Sequence, residues 1–180
     1  MKKKANILFV ILVIAFFLHG CEKTQKSPVI EYGEFPFRFT YEYKGEIFDI
    51  EDVVICEFAG YDYSSLFFTK PRSWREHLKS GTERISITYE ENVYSILKPN
   101  RLNNSSEVYL DYGLGSYYMG ENISSNTRNE PEISYIEKYN ASPKEIRIES
   151  THLSDEQLEK HFGIKVIEFT FSEPILNTFK

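Results

Sequence analysis

Acid–base or nucleophilic catalysis needs a base beside a nucleophile, or two carboxylates in unlike surroundings. Three histidines follow residue 21, namely His77, His152 and His161. None of them belongs to the H-E-x-x-H pattern of zinc hydrolases, and the spacing of His152 and His161 does not place both on one face of a helix. We therefore predict that the protein is not an enzyme. The alternative is an enzyme whose active site is assembled from residues far apart in the sequence.

Three carboxylates, those of Asp49, Glu51 and Asp52, lie close together in the sequence. Such a group could hold a hard cation such as calcium, which takes six to eight oxygen ligands. However, the segment lacks the central glycine and the distal glutamate of an EF-hand loop, and acidic residues on a strand also discourage aggregation. We predict no metal and no cofactor. These three residues are the candidate ligands of the alternative, a metal- or solute-binding accessory protein.

Three glycines are interspersed among tyrosines in the segment from Asp111 to Gly120. Within it, Gly113-Leu114-Gly115 is only half of a dinucleotide-binding fingerprint, and no helix pattern follows it to receive a pyrophosphate. Tyrosines on such a loop can present rigid amphipathic rings to a protein or a glycan. The candidate binding surface is therefore Tyr112, Tyr117 and Tyr118. The alternative is a bulged turn whose tyrosines pack over a sheet.

The N-terminal residues have the three parts of a secretory signal. Lys2, Lys3 and Lys4 precede an uncharged apolar run from Ile7 to Leu18, and a small residue, Gly20, follows the run. As a helix this run spans about 18 Å, which is short of the roughly 30 Å hydrocarbon core, so it is a poor permanent anchor. We predict that residues 1–20 are a signal peptide that is removed.

The four residues Leu18-His19-Gly20-Cys21 resemble the lipobox of bacterial lipoproteins, although His19 stands where a small or aliphatic residue is usual. The resemblance implies that Cys21 receives acyl chains such as palmitate, becomes the mature N-terminus, and holds the protein on the extracytoplasmic side of the cell membrane. The alternative is an ordinary signal peptide that is cut near a cysteine. The following chain also resembles, in composition, small uncharacterised lipoproteins of low-GC Gram-positive bacteria.

The other cysteine, Cys56, lies in the apolar run Val53–Phe58, which is typical of a strand. If Cys21 is acylated, Cys56 has no partner for a disulfide, and an unpaired cysteine is among the most often buried residues. We predict that Cys56 is a core thiol. Residues 21–30 then form a polar tether between the lipid and a single domain over residues 31–180.

The 180 residues carry 21 Lys and Arg against 27 Asp and Glu, a formal net charge of −6. Removing Lys2 to Lys4 makes the remainder more acidic, which argues against nucleic acid or anionic lipid as an electrostatic partner. Hydrophobic residues make up 41% and aromatic residues 16% of the chain. This is enough apolar surface to build a core, so the chain is predicted to fold. Gly120–Glu132 contains almost no apolar residues and is the stretch predicted to be disordered.

Strict alternation indicates the first strand, in which Phe35, Phe37, Phe39, Tyr41 and Tyr43 occupy every second position. A turn at Lys44-Gly45 and a second alternating run predict a hairpin. Pro36 lacks an N–H donor and favours a strand that is at an edge or pairs on one side only at that point. Further strands are predicted at Arg84–Tyr89, Val93–Leu97, Glu107–Tyr112, Ile133–Tyr139, Lys144–Ser150 and Lys165–Phe171.

Two short helices are predicted. Pro71 suits the first turn of one helix, over Pro71–Ser80, in which Trp74, His77 and Leu78 follow helical spacing. The second begins at Ser154, where Gln157 completes a capping box, and ends at Gly163.

The predicted fold is mainly β, an antiparallel sandwich or bent sheet of seven or eight strands with two short helices. The alternative is an α+β arrangement with both helices on one face. The predicted function is that of a lipid-anchored cell-envelope protein with a binding or structural role.

Overall fold

A computed structural model describes residues 26–62, 71–121 and 130–179. In these residues the chain forms two antiparallel four-stranded sheets and two short helices, which confirms the mainly β prediction. The strands are β1 (Tyr32–Tyr43), β2 (Glu46–Tyr61), β3 (Arg72–Leu78), β4 (Ile85–Glu91), β5 (Ser105–Asp111), β6 (Glu132–Ser142), β7 (Glu145–His152) and β8 (Ile164–Phe171). The helices are α1 (Gly115–Tyr118) and α2 (Asp155–Phe162).

The first sheet has the strand order β3-β2-β1-β8. Its centre is the predicted hairpin of β1 and β2, joined at Lys44 and Gly45. Both turn residues have positive φ angles, 53° and 81°, as a two-residue type I′ turn requires. The alternating aromatic residues of β1 behave as predicted: Phe35, Phe37, Phe39 and Tyr41 are buried on the inner face.

The second sheet has the order β4-β5-β6-β7. Its inner face contributes Val108 and Leu110 from β5 and Ile133 and Tyr135 from β6 to the same buried cluster as the aromatic residues of β1. A core shared by the inner faces of two antiparallel sheets is consistent with a β sandwich.

Pro36 does not mark an edge, because β1 lies between β2 and β8. Instead, the pairing of β1 with β8 starts one residue later, at Phe37 opposite Phe171. The Ser172 hydroxyl donates to the Pro36 carbonyl oxygen at 2.8 Å. The strand thus accommodates the missing donor by pairing at Pro36 with β2 alone.

The predicted helix over Pro71–Ser80 is wrong, because this segment is strand β3. Trp74 and Leu78 are four residues apart, a spacing that fits one face of a strand as well as one face of a helix. Pairing with β2 decides between them: Trp74, Glu76 and Leu78 lie opposite Phe58, Cys56 and Val54. The predicted strand Val93–Leu97 is also wrong. It lies in a loop whose bridge is an isolated pair, Tyr94 with Leu102.

The second predicted helix is confirmed as α2. The Ser154 hydroxyl accepts from the Gln157 N–H, the Gln157 side chain accepts from the Ser154 N–H, and Gly163 ends the helix with φ 66°. Leu158 is fully buried, and the Phe162 ring lies 5.2 Å from that of Tyr135. Through Phe162, this helix therefore contacts the inner face of the second sheet.

The folded body begins earlier than residue 31. Pro28 is buried and forms a bridge with Phe179, and the Val29 N–H donates to the Thr178 carbonyl oxygen at 2.8 Å. Residues 28–30 of the predicted tether over residues 21–30 therefore belong to the folded body, and residues 21–25 lie outside the described residues. The predicted signal peptide, Cys21 and residues 122–129 of the predicted disordered stretch lie outside the described residues. Among those that are described, no helix has the length and apolar character to cross a bilayer.

Candidate functional site

The tyrosine- and glycine-rich segment contains the one-turn helix α1, which the sequence did not predict. Tyr118 on this helix is 1% exposed, its ring lies 4.7 Å from that of Phe35, and its hydroxyl donates to the Tyr112 carbonyl oxygen at 2.8 Å. Burial raises the pKa of its hydroxyl. This corrects the predicted binding surface, because a core side chain cannot contact a partner.

Tyr112 and Tyr117, the other two predicted surface residues, are half-buried. The Tyr117 ring packs edge-on against Tyr118 at 5.1 Å and lies 6.4 Å from the Phe171 ring. Burial raises the pKa of both hydroxyls. Leu114, which precedes α1, is exposed. The segment is therefore anchored in the core through Tyr118, while Leu114 is exposed and Tyr112 and Tyr117 are partly exposed.

A groove of about 220 Å³ lies beside α1 and β3, and Arg72, Trp74 and Glu76 are in its walls. Glu121 accepts hydrogen bonds from Arg72 Nε at 2.5 Å and from the indole Nε1 of Trp74 at 2.8 Å. Glu76 Oε2 accepts from the Gly115 N–H at 3.2 Å. The N–H at the start of α1 therefore already faces a carboxylate, an arrangement that disfavours a phosphate there.

The acidic residues Asp49, Glu51 and Asp52 do not converge. Asp49 and Glu51 lie on the outer face of β2, whereas Asp52 pairs with the inward-facing Phe37. The Asp49 carboxylate accepts from Arg38 at 2.7 and 3.0 Å and from Thr40 at 2.9 Å. These hydrogen bonds, the one from Arg38 above all, lower the pKa of Asp49 to about 2. Within the described ranges, no group of three potential ligands is placed to hold a metal.

An open cleft of about 530 Å³ lies beside this pair, between β1, β2 and the end of β8. Its polar lining includes Arg38, Glu51, Asp52 and Ser172, and Phe37 and Val53 contribute to its walls. Arg38 lies 3.3 Å from Glu51 as well as 2.7 Å from Asp49. Its charge is therefore shared between two carboxylates at the edge of the cleft.

We expect millimolar calcium to leave the melting temperature unchanged. A ligand that binds only the folded state stabilises it by mass action, but here Arg38 already pairs with Asp49 and Glu51, and Asp52 is on the other face. Differential scanning calorimetry with calcium, and with magnesium as the control, measures this. A calcium-specific rise in melting temperature that is lost in Asp49→Asn would contradict the interpretation.

Cys56 and the three histidines that the structure describes lie at separate places in the fold. His77 is on the outer face of β3, His161 is exposed on α2, and His152 Nδ1 lies 3.3 Å from Glu132 Oε2 at the end of β7. Cys56 is fully buried on the inner face of β2, and burial raises the pKa of its thiol to about 12. Since the thiolate is the reactive form, this confirms Cys56 as a core thiol.

A buried ionic cluster is the main feature that the sequence interpretation missed. Glu137 is 0% exposed, is paired with Arg101, and accepts from the Ser95 hydroxyl at 2.7 Å and the Tyr135 hydroxyl at 2.8 Å. Burial alone would raise the pKa of Glu137, but these hydrogen bonds outweigh it and lower the pKa. The available signal was its position on β6, where Glu137 shares the inward parity of Ile133 and Tyr135.

Arg101 links this cluster to β7 through Glu149. Its Nη1 donates to Glu149 at 2.8 Å, and its guanidinium lies 3.8 Å from the centre of the Tyr139 ring. Lys98 also donates to Glu149, at 2.7 Å, and together these bonds lower the Glu149 pKa to about 2. The cluster therefore holds the loop over residues 93–103 against the second sheet.

Comparisons with known proteins add no family: no family model, curated protein or solved structure matches the chain.

Proposed function

We propose that the protein is a lipid-anchored cell-envelope protein, held on the extracytoplasmic side of the membrane by acyl chains on Cys21, with a binding or structural role. The observation that carries the proposal is the order of residues in the leader: a basic start, an uncharged run from Ile7 to Leu18, and Leu18-His19-Gly20-Cys21. Two or more acyl chains give stable anchoring, which a single chain does not.

The position of Cys56 supports this use of Cys21. Cys56 is fully buried on an inner sheet face, and its thiol has a raised pKa. It is therefore a poor partner for a disulfide with Cys21, which the sequence places in a segment that precedes the body. An exported chain with these two cysteines fits acylation of Cys21 better than a disulfide.

The surface that we propose for a partner, a protein or a glycan, is the segment around α1. Leu114 is exposed there, and Tyr112 and Tyr117 are partly exposed, while Tyr118 fixes the segment to the core. Aromatic side chains held by neighbouring rings lose little conformational entropy on binding, which suits a recognition surface.

Replacing Cys21 with serine is expected to move the protein from the membrane fraction to the soluble fraction, because the acyl chains have no attachment point. Fractionation after a high-salt wash, with mass spectrometry of the N-terminal peptide, measures this. Cys56→Ala is the matched control and should keep both the fatty adduct and the membrane association. A Cys21→Ser protein that still sediments with membranes, or native protein without a fatty adduct, would contradict the proposal.

A further inference from the structure

The first described residues are fixed to one end of the sandwich. The Lys26 carbonyl oxygen accepts from Arg72 Nη1 at 2.9 Å, and the Ser27 and Tyr61 hydroxyls lie 2.8 Å apart. Tyr61 ends β2 and Arg72 begins β3. The chain coming from Cys21 therefore enters the body at this end.

The residues that follow β8 return to the same end. The Val29 N–H donates to the Thr178 carbonyl oxygen at 2.8 Å. The Asn177 side chain bonds both the N–H and the carbonyl oxygen of Ile30, at 3.1 and 2.9 Å. The Arg72 guanidinium lies 3.8 Å from the centre of the Phe179 ring. Residues 28–30 and 177–179 thus run side by side where the chain enters.

Three exposed apolar side chains, here called the tail patch, lie on these two segments: Val29, Ile30 and Leu176. Leu176 is 98% exposed, more than any other large hydrophobic side chain among the described residues. The residues on both sides of it are held, since Ile175 donates to the Tyr118 carbonyl oxygen at 2.9 Å and Asn177 is bonded to Ile30. Because the backbone on both sides is held, this apolar side chain stays in the solvent, and a surface that covers it gains the free energy of its burial.

The length of the connecting chain places this end close to the lipid. Five residue steps separate Cys21 from Lys26, and a fully extended chain covers at most about 3.6 Å per residue, or about 18 Å in all. The opposite end of the sandwich is far away, because β1 has 12 residues and strands rise about 3.3 Å per residue, or nearly 40 Å. Acyl chains on Cys21, as proposed above, would therefore keep the tail patch nearer to the bilayer than the Lys44-Gly45 turn.

We infer that the tail patch contacts the lipid surface to which Cys21 is attached, so that the domain rests on the membrane through Leu176. This inference depends on the proposed lipid anchor. One exposed leucine is too small to bind a membrane unaided, but attachment through Cys21 makes the contact intramolecular and supplies a high local concentration of lipid. The contact is apolar rather than electrostatic, because the chain without Lys2 to Lys4 is more acidic than the −6 of all 180 residues and does not favour anionic lipid.

The test places an environment-sensitive fluorophore on the full lipidated chain. The fluorophore is attached to Leu176→Cys, and in a matched control to Glu46→Cys, an exposed position at the opposite end of β2. Labelling is selective because Cys56 is fully buried and the sulfur of Cys21 carries the lipid. In zwitterionic phospholipid vesicles we expect a blue shift and several-fold weaker quenching by aqueous iodide at position 176, and no such change at position 46. Val29→Cys provides a second site in the same patch.

The possible results distinguish a failure of this inference from a failure of the proposed lipid anchor on Cys21. Equal iodide quenching at positions 176 and 46 in protein that remains bound to the vesicles overturns the inference and leaves the lipid anchor standing. Protein without a fatty adduct that does not bind the vesicles overturns both. Concentration-dependent shielding of position 176 in vesicle-free Cys21→Ser protein would assign the patch to a second copy of this chain, and would overturn the inference.

Discussion

The substitution Arg101→Met is expected to lower the free energy of unfolding by about 3–5 kcal/mol, because it leaves Glu137 buried without its counter-charge. Methionine keeps most of the aliphatic length of the arginine, so the loss is mainly that of the charged guanidinium, including its contact with the Tyr139 ring. Urea unfolding at neutral pH measures the change. Lys98→Met is the matched control. Lys98 is largely exposed and pairs with Glu149 from the surface, so its loss should cost no more than about 1 kcal/mol.

The effect of Arg101→Met should depend on pH with a defined sign. The pKa of Glu137 is lowered in the folded protein, so its ionisation contributes stability above the ordinary value of 4.5. That contribution is lost as the pH falls through the lowered folded pKa. Without Arg101, burial should raise the pKa of Glu137 above its ordinary range. The stability difference between the two proteins is therefore largest near neutral pH and shrinks below about pH 4.5. A difference that stays constant down to pH 3 would contradict this account.

The substitution Gly120→Ala is expected to destabilise the protein by about 2–5 kcal/mol, for two reasons that add. Gly120 has φ 68°, a left-handed conformation that costs a residue with a Cβ roughly 1–2 kcal/mol. A Cβ there would also lie 2.2 Å from the Ile175 carbonyl oxygen, and relieving such a clash in a packed region costs about 1–3 kcal/mol. Guanidinium unfolding, with the slope checked for two-state behaviour, measures the total.

Gly163→Ala separates the two contributions. Gly163 has nearly the same φ, 66°, but a Cβ there meets no atom within 4 Å. Its substitution should therefore cost only the roughly 1–2 kcal/mol of the backbone conformation. Equal losses of unfolding free energy for the two variants would show that the segment around Ile175 moves away freely. That result would contradict a tight contact between Gly120 and Ile175.

The parts of the fold that depend on local pattern were predictable. The β1–β2 hairpin was visible from the alternation of Phe35, Phe37 and Phe39 and from the Lys44-Gly45 turn, because burial of one face needs only a period of two. Helix α2 was visible because the capping box of Ser154 and Gln157 and the stop at Gly163 are formed by neighbours in the sequence. The number of such strands in turn led to the prediction of an antiparallel sandwich.

The parts that depend on distant partners were not predictable. The segment around Trp74 forms a strand because the edge of β2 that does not pair with β1 is available for hydrogen bonding. The residue pattern alone fits either a strand or a helix. Glu137 and Arg101 are 36 residues apart, and nothing local shows that they meet. Tyr118 was assigned to a surface because the sequence did not show α1 turning its ring towards Phe35.

The position of β1 has a consequence for the order of folding. Its two neighbours are β2, the next strand along the chain, and β8, the last strand described. The hydrogen bond between Ser172 and Pro36 joins residues 136 positions apart. Contacts of such wide sequence separation form slowly, because a large loop must close before they contribute. A chain threaded through a narrow pore would therefore complete its first sheet only after residue 172 has emerged. Until β8 is available, one edge of β1 therefore remains unpaired in this sheet.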